Sequence, residues 1–216
     1  MNSSNLSCHL ACRIFAFMGE IRAGMLLIIF VSFSLLLSSC MMVRGGNLQP
    51  PETWPPVSNA EKKAINLSVT AKAFDGSSTN AKLLQLLEGQ SQKAYMESGL
   101  FSQITLSKDP AALRAEVEYI EEGSKLLASV SGFICGFTFG MIPGYVKANI
   151  ITVTTFRDQA GKELGSIRRS ETYSFWMQLF LVTIMPFREE PQSVARSIYF
   201  DLNRATLDQA RASGIL

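Results

Sequence analysis

The chain has 216 residues, of which 47% are hydrophobic and 18% are charged, and 20 Lys and Arg against 18 Asp and Glu leave a formal charge of +2. This near balance argues against a nucleic-acid-binding protein, because such proteins usually carry a strong excess of basic residues. The high apolar content also excludes a typical disordered chain, and the length favours one domain with a sizeable core.

The N-terminal residues have the layout of an export signal. Arg13 and Arg22 precede an uncharged stretch, Ala23–Val43, whose central run Met25–Leu37 is strongly apolar. A basic region, an apolar core and small residues before a cleavage site are the parts of a secretory signal peptide. We therefore predict a signal helix within a signal peptide over residues 1–39.

The apolar run ends in the four residues Leu37-Ser38-Ser39-Cys40. A Leu, two small residues and then a Cys directly after an apolar core resemble the lipobox of bacterial outer-membrane lipoproteins. The resemblance implies cleavage between Ser39 and Cys40 and a covalent lipid on Cys40. It also implies anchorage at the periplasmic face of the outer membrane, because Met41 is not the Asp that family rules connect with inner-membrane retention.

Two alternatives stay open at this end of the chain. The uncharged stretch of 21 residues, Ala23–Val43, is long enough to span a bilayer as an uncleaved anchor, and Cys40 would then be incidental. Translation could also start at Met18 instead of Met1, since the basic region before the apolar core is longer than usual.

Cleavage at this site would leave little catalytic chemistry in the mature chain. Cys8, Cys12 and His9, which is the single histidine, would leave with the signal, so Cys40 and Cys135 would remain. With Cys40 used by lipid, no internal disulfide can form, and neither a His-based triad nor a histidine metal ligand is available. The sequence also lacks GxSxG, HExxH, Walker and dinucleotide fingerprints. We therefore expect no enzyme, no metal and no cofactor except the covalent lipid on Cys40.

Residues 40–60 are predicted to form a tether. They contain the pairs Gly45-Gly46, Pro50-Pro51 and Pro55-Pro56, and proline pairs favour extended polyproline geometry. Trp54 lies between the proline pairs and would serve either as an interfacial anchor or as a side chain packed on the edge of the domain.

The remaining residues, 61–216, are predicted to form a single α+β domain. Period-two alternation indicates the strands, and apolar stripes with capping residues indicate the helices. The predicted elements, in chain order, are a strand Ile65–Phe74, a helix from Thr79 or Asn80 to about Ser98, strands Phe101–Ser107, Leu113–Ile120, Tyr145–Phe156 and Glu163–Tyr173, and a helix capped by Ser193 that runs to about Ala212. This order predicts a mostly antiparallel sheet of four to five strands with two helices on one face. It is similar to the order in small α+β envelope lipoproteins, such as the lipopolysaccharide-transport and curli-secretion lipoproteins, and the similarity transfers no functional residues.

The first of two apolar segments, 126–145, has a glycine at every fourth position from Gly132 to Gly144. On a helix this spacing gives the small-residue face that permits close helix packing in membranes. The same residues also fit a strand with one large apolar face, as in a membrane barrel hairpin. A spacing of four is a multiple of two, so it does not distinguish the helix from the strand.

The second apolar segment, 173–187, is too short for a helical span. If consecutive strands from the second to the fifth are antiparallel, both apolar segments and the start of the first strand lie at one edge of the sheet. We therefore predict a membrane- or partner-facing edge beside the lipid. Its candidate residues are Gly132, Phe133, Gly136, Phe137, Gly140, Trp176 and Phe180.

These patterns favour a non-enzymatic, lipid-anchored envelope protein that binds a membrane or a protein partner through the apolar edge. Two alternatives are a lipid-binding carrier and an oligomeric pore assembled through Gly132, Gly136, Gly140 and Gly144. A further alternative is that both apolar segments simply complete the core. The partners expected are the membrane and either an envelope protein or further copies of the chain, and no nucleic acid is expected.

Overall fold

The computed structural model describes residues 40–49, 51, 53–56, 62–73, 77, 79–107, 113–178, 180–181 and 187–216. Over these residues the chain forms an α+β fold, which confirms the predicted class. The strands are β1 (Cys40–Arg44), β2 (Lys63–Lys72), β3 (Phe101–Thr105), β4 (Leu113–Gly123), β5 (Gly144–Asp158) and β6 (Glu163–Met177). The helices are α1 (Ala81–Ser98), α2 (Lys125–Phe137) and α3 (Pro191–Ala212). The predicted signal peptide with its helix, 1–39, lies outside the described residues.

All six strands join one mixed sheet in the order β1-β6-β5-β4-β2-β3. The pairs β1–β6, β6–β5 and β5–β4 are antiparallel, whereas β4–β2 and β2–β3 are parallel. The prediction of four to five mostly antiparallel strands is thus only roughly matched. The differences are the additional edge strand β1 and the insertion of β2 between β3 and β4.

Helices α1 and α3 cover one face of this sheet, as predicted, and pack against each other. The period-two alternation places Leu67, Val117 and Phe156 on the covered inner face, where each is at most 1% exposed. Their neighbours along each strand, including Glu116 and Thr155, point to the opposite, outer face.

The ends of α1 confirm the caps read from the sequence, but the start of α3 differs. The Asn80 side chain accepts the Leu83 N–H at 2.8 Å, and Gly99 ends α1 in the left-handed conformation with φ of 64°. Helix α3 starts at Pro191, so Ser193 lies inside the helix and is not its cap. Proline fits the first helical turn because an N–H at that position has no partner within the helix.

The predicted tether begins with β1, which pairs with β6, and is therefore not a free linker over its described residues. A buried carboxylate fastens the end of this strand. Glu171 is fully buried and accepts hydrogen bonds from Arg44 Nε at 2.9 Å and from the N–H groups of Asn47 and Leu48, each at 3.0 Å. Arg44 Nη1 also donates to Asp201 on α3 at 2.5 Å. These charge-assisted bonds fix β1 to both the sheet and the helix layer.

Contacts continue along the described residues of the predicted tether. Trp54 is half-buried against the core, and the Arg204 guanidinium lies 5.0 Å from the centre of its ring. Of the two roles considered for Trp54, the structure shows the one packed on the domain.

The N-terminal segment lies beside the apolar segments, as predicted, but the strand that brings it there is not the predicted one. Because β2 is parallel to β4, it starts at the end of the sheet opposite to the end of β4, contrary to the predicted connectivity. Strand β1 is antiparallel to β6, so it starts where β6 ends, with Cys40 opposite Met177. The chain therefore enters at the edge that carries both apolar segments, through a strand that the sequence analysis did not predict.

Candidate functional site

The first apolar segment forms helix α2 at the end of β5. The Ser124 side chain accepts the Leu127 N–H at 3.2 Å and caps the start of the helix. After Phe137 the chain turns through Phe139 and Gly140, which have positive φ values of 51° and 76°. The helix contains 13 residues, and within the described parts of the chain no helix has the length and apolar content needed to cross a membrane. The segment is therefore a helix only as far as Phe137. A turn follows, and β5 begins at Gly144, so neither one continuous helix nor one strand runs through all four glycines.

One side of α2, which carries Ser131, Gly132 and Cys135, contacts the sheet. The Ser131 hydroxyl accepts the Tyr145 N–H at 2.6 Å, and the Cys135 thiol donates to the Met177 carbonyl at 3.4 Å. A Cβ atom on Gly144 would lie 3.0 Å from the Cβ of Cys135 and 3.0 Å from Met177 Cε. Helix α2 therefore approaches the start of β5 and the end of β6 this closely because the residue at position 144 has no side chain.

The large apolar side chains of α2 face away from the domain. Phe133 and Phe137 are 73% and 77% exposed, and their rings stack on each other with centroids 6.1 Å apart. Leu126 and Leu127 are 73% and 68% exposed. We call the following set of exposed side chains the apolar end: Leu126, Leu127, Val130, Phe133, Ile134, Phe137, Phe139, Met141, Ile142 and Phe180.

This orientation is the reverse of that in the other two helices. Helices α1 and α3 bury apolar residues against the sheet, whereas Cys135 is the single residue of α2 that is buried. Isolated exposed apolar side chains are normal on a soluble protein, but a contiguous apolar surface indicates contact with a membrane or a partner. The hypothesis that 126–145 completes the core does not hold for α2.

Cys40 lies at the same end of the sheet. It pairs with Met177, the residue whose carbonyl accepts the bond from Cys135, and its own side chain is half-buried. Partial burial raises the pKa of the Cys40 thiol, and the nearby Cys135 raises it further. The predicted lipidation site is therefore a neutral thiol directly beside α2.

The second apolar segment contributes to the same end of the molecule in two ways. Trp176 lies on the outer face of β6, half-buried, with its ring 4.5 Å from the centre of the Tyr145 ring. Phe180 is 61% exposed and belongs to the apolar end. Paired Trp and Tyr rings beside exposed aliphatic groups are typical of membrane interfaces. Residues 179 and 182–186 lie outside the described residues.

The predicted glycine stripe is divided among three elements. Gly132 and Gly136 lie on α2, Gly140 is buried in the turn that follows it, and Gly144 starts β5. Gly132 approaches Met177, while Gly136 has no neighbour within 4 Å. A continuous small-residue face over the four glycines, on which the pore alternative depended, is therefore absent from this described segment.

The candidates predicted from the sequence did not include the aliphatic members of the apolar end, such as Leu126, Leu127 and Val130. The sequence does carry a sign of them. In a helical projection of this segment the small residues share one face, and the large apolar residues lie beside that face. Across the described residues, no group of three or more His, Cys, Asp and Glu side chains is placed to hold a metal ion.

Comparisons with known proteins add little to this geometry. No family model matches the chain, and no curated protein matches it. Among solved structures, the chain is similar to a minor lipoprotein from Acinetobacter baumannii, with 18% identity over 71% of this chain and 93% of that chain at a TM-score of 0.43. It is also similar to PelC dodecamers from Paraburkholderia phytofirmans in two crystal forms, with 12% and 8% identity over 76% of this chain and 93% and 94% of those chains, at TM-scores of 0.35 and 0.33. Likenesses of this size carry no argument about function.

Proposed function

We propose that the chain is a non-enzymatic, lipid-anchored protein of the bacterial cell envelope that lies against its membrane with the apolar end seated in the interface. The observation that carries this proposal is the outward orientation of α2 directly beside Cys40. The resemblance of Leu37–Cys40 to a lipobox supports the lipid and, with Met41, the periplasmic face of the outer membrane.

The sizes of the exposed side chains support membrane seating. Fully burying a large apolar side chain contributes about 1.5–3 kcal/mol. Four residues of the apolar end on α2 are between 68% and 77% exposed, so their insertion would contribute roughly 4–8 kcal/mol. Burial of the apolar end would add to the membrane affinity that the lipid on Cys40 supplies.

Charge is arranged in agreement with this orientation. Between Lys125 and Lys147 the sequence carries no charged residue. An uncharged segment that begins after one lysine and ends before another is suited to lie in the interfacial plane, where anionic phospholipid headgroups attract cations.

The test compares the native protein with an unlipidated form, in which residues 1–39 are exchanged for an ordinary cleavable signal and Cys40→Ser is introduced. The tryptic peptide 40–44 of the native protein should carry an acyl mass on Cys40. The unlipidated form should still float with vesicles of phosphatidylethanolamine and phosphatidylglycerol.

Two results would contradict the proposal. An unmodified Cys40 peptide would remove the lipid anchor. An unlipidated form that stays in the soluble fraction as a discrete oligomer would show that the apolar end is a subunit interface and not a membrane contact.

A further inference from the structure

A second apolar feature lies on the inner face of the sheet, next to the apolar end. It is a groove with a cavity of about 360 Å³ beneath the first turns of α3. Its floor and roof are formed by Met42, Val146, Ile150 and Phe175 from the sheet and by Pro191 and Ala195 from α3.

The groove is continuous with the position of Cys40. Cys40 and Met42 are two residues apart on β1, so their side chains lie on the same face of the sheet about 7 Å apart. Phe175 is the partner of Met42 in β6, as Met177 is the partner of Cys40. The Cys40 sulfur is therefore placed at the edge of the sheet from which the groove extends inward.

Two tyrosine side chains, Tyr173 and Tyr199, line the far end of the groove. The Tyr173 hydroxyl donates a hydrogen bond to the Glu121 carboxylate, and the Tyr199 ring packs edge-on against Tyr119. Burial raises the pKa of both Tyr173 and Tyr199, with Glu121 adding to the shift, so neither hydroxyl carries a charge near neutral pH. An open, mainly apolar groove with an uncharged end and a flexible Met wall suits a hydrocarbon chain.

We propose that this groove takes an acyl chain of the lipid carried by Cys40, an inference that rests on the proposed function. Cys40 and Met42, which forms one wall of the groove, lie on the same strand, so the acyl chain enters as an intramolecular ligand at high effective concentration. The lipid of Cys40 then has two sites, the bilayer and the groove, and the groove shields one acyl chain from water when the protein is off the membrane.

The experiment uses the native, full-length protein in cells fed a fatty acid that carries a diazirine in the middle of its chain. The protein that is irradiated is the fraction in which peptide 40–44 has been shown to carry the diazirine-labelled acyl chain. After irradiation and trypsin digestion, we expect peptide 189–196, which contains Pro191 and Ala195, to be joined covalently to peptide 40–44. Val146→Trp, which fills the groove, should lower the yield of this product by at least about fivefold, because a close-packed groove has no room for both groups.

The matched control is Val153→Trp, since Val153 is also half-buried on β5 but lies on the outer face. This control should leave the yield unchanged. Peptide 189–196 joined to an intact phospholipid would overturn the proposal, because the occupant would then come from the bilayer. Products confined to peptide 126–147 or to membrane lipids would also overturn it.

Failure of this proposal is distinguishable from failure of the proposed function. If peptide 40–44 carries no acyl mass, the lipid anchor itself is absent and both proposals fail. If the peptide is acylated and the unlipidated form floats with vesicles, but peptide 189–196 forms no product, the groove assignment alone is wrong.

Discussion

Removing the two phenylalanine rings from the apolar end should weaken membrane binding without affecting folding. Phe133 and Phe137 are 73% and 77% exposed and contact mainly each other within the domain. Serine has nearly the same helix propensity as phenylalanine. We therefore expect the double variant Phe133→Ser/Phe137→Ser to change the free energy of unfolding by less than about 0.5 kcal/mol.

The expected loss of membrane affinity follows from the exposed fractions. Full burial of each ring is worth about 1.5–3 kcal/mol, and about three-quarters of each ring is available to the membrane. The double variant should then lose roughly 2–4 kcal/mol, with a central value of about 3 kcal/mol. At 1.4 kcal/mol per factor of ten, the vesicle partition coefficient should fall about a hundredfold.

The assay is vesicle flotation of the unlipidated form, so that the lipid of Cys40 does not mask the effect. Thermal unfolding is measured on the same preparations. The matched control is Leu106→Ser/Leu164→Ser, because both leucines are 43% exposed and neither belongs to the apolar end. An unchanged partition coefficient would refute membrane seating of α2, and a variant that unfolds would show that these rings support the domain.

Three further predictions concern stability. Gly144→Ala should destabilise the fold by about 1–3 kcal/mol in denaturant unfolding, because its Cβ would lie 3.0 Å from Cys135, whereas Gly136→Ala, which meets no atom within 4 Å, should stabilise α2 by about 0.5–1 kcal/mol. Glu171→Ala should cost about 3 kcal/mol by removing the acceptor of Arg44 Nε and of three backbone N–H groups, while Glu122→Ala, which breaks an exposed pair with Arg168, should cost less than about 0.5 kcal/mol; an equal loss in both variants would contradict this expectation. Burial raises the pKa of Tyr119 to about 12, so stability should be fully present below pH 10 and fall between pH 10 and 12, by about 3 kcal/mol for this residue, because the unfolded chain releases the proton first; Tyr119→Phe should remove that part of the pH dependence.

Much of the domain could be predicted from local patterns because those patterns have local physical causes. The alternation in β4 and β5 reflects one covered face and one open face of the sheet, and Asn80 and Gly99 act on the helix ends next to them. Strand pairing is different, because it is decided by contacts between distant residues. Nothing near β3 indicates that it pairs with β2 and not with β4.

Strand β1 was missed because its five residues are too few to show alternation and lie next to glycine and proline pairs. Its place in the sheet depends on Glu171, which is 127 positions from Arg44 in sequence. A single glutamate within a predicted strand gives no sign that it will be buried. The network around it becomes evident only when β6, β1 and α3 are assembled.

The orientation of α2 was not predictable from the glycine spacing either, because a period of four fits both a helix and a strand. Both sides of this helix are apolar, so hydrophobicity does not say which one faces the domain. Steric fit decides it, since Ser131 and Cys135 contact the sheet ends where Gly144 leaves room for them. The larger side chains are thereby left outside.

On the proposed function, the pairing of β1 with β6 would hold the lipid on Cys40 and helix α2 in a fixed geometry. A free tether of some twenty residues could reach roughly 65 Å, and the lipid and α2 would then act almost independently. In the structure Cys40 pairs with Met177, four positions along β1 from the buried Glu171–Arg44 bond. On the proposed function, an anchor held so close to α2 would bring the apolar end to the bilayer each time the lipid inserts, and the entropy cost of association would be paid once for both contacts. Releasing β1 by Glu171→Ala should therefore weaken membrane attachment as well as the fold, although neither Glu171 nor Arg44 contacts the membrane.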